Sequence, residues 1–79
     1  MKALEFENAV AELGDGGLIV YRQDEAPEWV PLDDGTKLSI QTGWRGSSLV
    51  ICRCGPTIVL SGAPLEKLQQ FMDAAQPAR

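Results

Sequence analysis

A chain of 79 residues, 44% hydrophobic and 23% charged, holds one ordinary globular domain of a size that buries only about 60–65% of its unfolded surface. No apolar run approaches the roughly 20 residues of a membrane span, and the opening Met1-Lys2-Ala3-Leu4-Glu5 turns acidic too early for an export signal, so a soluble cytosolic protein is expected. The net charge of −4 is unevenly placed: residues 1–36 hold nine carboxylates against Lys2 and Arg22, a balance of −7, whereas residues 37–79 hold +3.

In chain order, Phe6, Ala9, Val10 and Leu13 recur at helical spacing with Glu5, Asn8 and Glu12 opposite, which predicts a short amphipathic helix over 5–13. A strand over 2–6 competes with it, because Leu4 and Phe6 alternate with Ala3 and Glu5 and no N-cap residue is present. Gly14-Asp15-Gly16-Gly17 ends this element, and the β-branched and aromatic run at 18–22 is a strand. An acidic loop over 23–27 follows. Residues 29–32 and 36–42 around Asp33-Asp34-Gly35 read as a hairpin, with Pro27 and Pro31 marking the first strand as an edge. Gly43-Trp44-Arg45-Gly46-Ser47 is a loop. A second hairpin joins 48–54 to 57–60 through Gly55-Pro56, and Leu49-Val50-Ile51-Cys52 has the two-sided apolarity of a central strand covered on both faces. Pro64 opens a helix running to about residue 75, with Leu65, Leu68, Phe71, Met72 and Ala75 on one stripe, and residues 76–79 are a tail. The fold class expected is α+β: one domain over 1–79, with a mostly antiparallel sheet of four to five strands and a helix at each end packed on it.

The chain lacks histidine, so most acid–base and nucleophilic constellations fail at once and a non-catalytic protein without cofactor is expected. Gly46-Ser47-Ser48 lacks the glycine of a nucleophile elbow, and Gly14-Asp15-Gly16-Gly17 lacks the Gly-Lys-Ser/Thr of a phosphate loop. Asp33-Asp34 is explained by its turn, without a cation. Cys52 and Cys54, two apart on a strand, share one sheet face; they read as reduced core cysteines and not as metal ligands. Tyr21, Trp29 and Trp44 are the residue types that dominate binding hot spots. Trp44-Arg45, set between glycines, is the best anchor, with packing on the sheet as the alternative for Trp44 and the favoured reading for Trp29.

Small size, strong acidity and the absence of catalytic residues, from the 1–17 opening onward, resemble the anti-CRISPR proteins of phages and mobile elements, in general texture the inhibitors of type I-C Cascade. The resemblance covers the whole chain in size and acidity and rests on no shared motif. It implies a host-cell inhibitor that binds the Lys/Arg-lined surface by which Cascade holds target DNA, with carboxylates where phosphates would lie. From the charge layout, the working surface expected is Glu5, Glu12 and Asp15 on one helix side, Asp24, Glu25 and Glu28 on the following loop, and Trp44 as anchor. A homodimer is expected as a remedy for the small core. Two other readings compete: a bacterial regulatory or antitoxin-like interaction module working through a sheet edge, and a nucleic-acid binder using Lys37, Arg45 and Arg53, which the −7 half opposes.

Overall fold

A computed structural model describes residues 2–44 and 46–75; Arg45 and the 76–79 tail lie outside the described residues. Seven strands and one helix follow one another: β1 Ala3–Glu5, β2 Val10–Gly14, β3 Gly17–Tyr21, β4 Glu28–Pro31, β5 Lys37–Gly43, β6 Gly46–Cys52, β7 Ile58–Ala63 and α1 Leu65–Ala75. In place of the single sheet of four to five strands expected, they form two antiparallel sheets, β1-β2-β3-β4 and β5-β6-β7, called here sheets A and B. Every ladder joins strands adjacent in sequence.

The helix expected over 5–13 is instead the β1–β2 hairpin, so the C-terminal helix is the only one among the described residues. Leu4 and Phe6 face the core from one strand, and Ala9, Ala11 and Leu13 from the next. Each arm alternates with period two, and the two-residue turn Glu7-Asn8 shifts the phase by one residue. That shift turns two strand patterns into an apparent helical stripe. Val10, assigned to the apolar stripe, points to the other face with Glu5 and Glu12. Gly14-Asp15-Gly16-Gly17 is accordingly a hairpin turn, with Gly14 paired to Gly17.

The Asp33-Asp34-Gly35 turn is present, but it does not close a hairpin. The Thr36 N–H donates to the Asp33 carbonyl at 3.0 Å, and the Gly35 N–H to Asp33 Oδ1 at 2.9 Å. The strand before it pairs with β3 and the strand after it with β6, so the turn carries the chain from one sheet to the other. The loop expected over 43–47 is shorter than read: β5 runs on to Gly43 and β6 begins at Gly46, with the two glycines paired, so the two strands form a hairpin. The β6–β7 hairpin and the central place of β6 in its sheet agree with the sequence reading, but the cover expected on both faces of β6 is present on the inner face alone among the described residues.

One hydrophobic cluster draws Leu18, Val20 and Val30 from sheet A, Leu49, Ile51 and Leu60 from sheet B, and Leu68 and Phe71 from the helix. The helix touches β1 as well as β5 and β6, and so ties the two sheets together. The Pro64 carbonyl accepts its first helical bond from Leu68 at 3.0 Å, and of the expected stripe only Leu65 is left exposed. A second tie comes from the tip of the first hairpin. Glu7 N–H donates to the Ser61 carbonyl at 2.8 Å, and the Asn8 amide both donates to Val59 O at 3.0 Å and accepts from Ser61 N–H at 3.1 Å. Asn8 thus behaves like a short strand along the margin of β7.

The cysteines are surface residues and not the core residues expected. Cys52 ends β6 on the outer face of sheet B opposite Lys37, Cys54 lies in the turn beyond, and both are exposed. No element among the described residues covers that face; Val50 is buried there between its cross-strand neighbours Ser39 and Val59.

Candidate functional site: the outer face of the four-stranded sheet

Strand register decides which side chains meet on the outside of sheet A. One row crosses all four strands through Ala3, Glu12, Ile19 and Trp29, and a second crosses three through Glu5, Val10 and Tyr21. Val10 and Ile19 are half-buried by their neighbours, while Tyr21 and Trp29 remain 38% and 48% exposed. Among the described residues no segment covers this face. Two aromatic rings and two aliphatic side chains therefore share an open surface with two carboxylates.

Trp29 is held in place by the absence of other side chains. Its indole lies across Gly14 and Gly17; a methyl group added to Gly17 would sit 2.6 Å from Trp29 Cζ2, so only glycine admits the ring so close to the backbone. The reading of Trp29 as packing on the outer sheet face agrees with this, although about half of the residue stays open. Tyr21 donates a hydrogen bond to Glu12 Oε1 at 3.3 Å. Its hydroxyl is held above the ordinary phenol value, first by desolvation and then by the charge and hydrogen bond of Glu12, which disfavour a phenolate beside a carboxylate.

The expected acidic surface is divided. Glu5 and Glu12 do share one face, of a sheet and not of a helix. Asp15 sits in the β2–β3 turn at one end of sheet A, and Asp24 and Glu25 in the β3–β4 loop at the other, about 17 Å away along a five-residue strand. Glu28 faces the opposite side, in register with Val20, and is engaged: Oε1 accepts from Arg22 Nη1 at 2.9 Å and Oε2 from Arg53 Nη2 at 2.6 Å. These bonds, Arg22 first and Arg53 second, hold its carboxyl below the usual range. Trp44 is 99% exposed at the tip of the β5–β6 hairpin, on the other sheet. Val10 and Ile19 are the surface residues the sequence reading passed over; a strand assignment for 10–14 would have placed both beside Glu12.

No family model matches this chain, and neither a curated protein nor a solved structure does.

Proposed function

We propose that this chain is a non-catalytic protein-binding module that docks on a cationic partner through the outer face of sheet A. The observation that carries the reading is the open face on which two adjacent rows set Tyr21, Trp29, Val10 and Ile19 around Glu5 and Glu12. Aromatic side chains fixed on a rigid sheet contribute contact area at little entropic cost, and carboxylates beside them steer the approach of a Lys/Arg surface. The resemblance to type I-C Cascade inhibitors directs this reading to the basic path along which Cascade holds DNA, where Glu5 and Glu12 would compete with phosphates.

A titration against purified type I-C Cascade at two salt concentrations tests it, with circular dichroism confirming the fold of each variant. Glu5→Lys/Glu12→Lys is expected to weaken binding about tenfold or more, mainly by slower association, and to leave the residual affinity less dependent on salt. Tyr21→Ala is expected to speed dissociation. Unchanged affinity of the folded charge-reversed variant would rule out this face, and a wild-type protein that does not bind would rule out Cascade as the partner.

A further inference from the structure

The two sheets have four edges, and the fold treats them differently. β1 is only three residues long. β4 ends in Pro31 and follows Pro27, residues without an N–H to offer a neighbouring strand. β7 is occupied along part of its length by Glu7 and Asn8. β5 has none of these protections. It is seven residues long, contains no proline, and pairs without a register shift, and its only charge is Lys37 at the first position. Among the described residues nothing pairs with its other side. Bonding alternates in an antiparallel ladder, so every second residue of β5 presents an unpaired N–H and C=O along a strand of about 24 Å.

We propose that this edge is a self-association site: two copies pair β5 with β5, antiparallel, about a two-fold axis at Ile40, making one six-stranded sheet. The strand is self-complementary in this arrangement. The two Lys37 residues fall at opposite ends, about 20 Å apart, each facing a glycine, Gly43 of the second copy, whereas a parallel pairing would set them side by side. Ile40, only half-buried at the margin of the core, meets Ile40 of the second copy. On the outer face Ser39 opposes Gln41, a pair able to hydrogen-bond. Trp44, 99% exposed in the single chain, comes to lie at the Lys37 end of the second copy, where its ring gains a cation and aliphatic cover. The site is separate from the Tyr21–Trp29 face, so either proposal can fail without the other.

Sedimentation equilibrium over micromolar to millimolar concentrations is the test, with twice the 8.6 kDa chain mass expected at the upper end. Ser39→Glu/Gln41→Glu sets like charges opposite each other twice across the axis and is expected to weaken association about tenfold or more. Ser39→Lys/Gln41→Glu sets unlike charges opposite each other and is expected to restore it. Both positions are exposed on the open face of sheet B, so the single chain keeps its fold, as circular dichroism would confirm. A wild type that stays at 8.6 kDa, a dimer that survives the acidic pair, or a mixed pair that fails to restore it would each overturn the proposal.

Discussion

Tyr21 is the only tyrosine in the chain, so the environment of its hydroxyl can be read without interference from another. Desolvation and the neighbouring Glu12 both oppose the phenolate, and ultraviolet titration is expected to place the midpoint above the ordinary 10.0. Glu12→Gln should bring it back toward that value, since the carboxylate's charge is removed while the ring stays where it is. A wild-type midpoint at or below 10.0 would show that Tyr21 Oη does not face Glu12 as described. At this scale the sequence was partly legible. Tyr21, Trp29 and Trp44 stand out by residue type, and the three fates are all of kinds that residue type allows: one hydrogen-bonded, one laid over glycines, one open. What residue type could not convey is that Glu28 is engaged. Its partner Arg53 is 25 residues away, and such a pair is visible only once two sheets are folded together. The two carboxylate groups of the sequence, Glu5, Glu12 and Asp15 and then Asp24, Glu25 and Glu28, look equivalent; in the fold they divide into a sheet face, two distant ends and an ion-pair centre.

Among the elements, β7 shows how one backbone irregularity can position two sheets. Ser47 pairs with Ala63 and Ser48 with Ser61, so Gly62 is an extra residue in the strand, a bulge with φ of 91°. Its lack of a side chain also admits Glu7: a methyl group added to Gly62 would collide with Cβ, Cγ and Cδ of Glu7. Gly62→Ala is expected to cost about 2 kcal/mol in urea denaturation, from the left-handed backbone together with the crowding. Adding Glu7→Ala removes Cγ and Cδ and should recover part of the loss, leaving the backbone strain and the 2.9 Å approach to the residue-7 Cβ; a Gly62→Ala protein as stable as wild type would mean that the bulge is not formed as described. The elements that the sequence predicted well, the β6–β7 hairpin and α1, have strong punctuation at their ends, Gly55-Pro56 and Pro64. Those it misread were joined by short connections, Glu7-Asn8 between β1 and β2 and the link between Gly43 and Gly46, which look like the interior of an element or like an open loop. Asp33-Asp34-Gly35 was read correctly as a turn and wrongly as a hairpin, because turn chemistry fixes the local reversal and says nothing about which strand comes to lie alongside.

At the scale of the molecule, the charge asymmetry and the architecture coincide: the −7 segment is sheet A with its connecting turn, and the +3 segment comprises sheet B, the helix and the tail. The sequence showed the asymmetry in full but not its form, since nothing in it says that residue 36 is where one sheet gives way to another. The two halves are tied by α1, by Asn8 and by the Arg22–Glu28–Arg53 cluster, in which the glutamate side chain is about one-third exposed. Screening by water holds the contribution of that cluster to about 1 kcal/mol. Its sign follows from the lowered carboxyl: the stabilisation is present above the ordinary value of 4.5 and is lost as pH falls through the lower folded value. Glu28→Gln is therefore expected to reduce stability by about 1 kcal/mol at pH 7, with the difference from wild type shrinking under strongly acidic conditions. A difference that is the same at both extremes would show that the glutamate acts through something other than its charge. The sequential order of the ladders also bears on how the chain comes into being. Each hairpin of sheet A closes over a short stretch of chain, so its ladders are local contacts able to form early in folding. Its inward face, with Leu4, Ala11, Leu18, Val20 and Val30, has nothing to rest against until sheet B and then α1 follow. Until they do, that face is open to aggregation and to chaperones, and the docking of α1 against β1, β5 and β6 is what closes it.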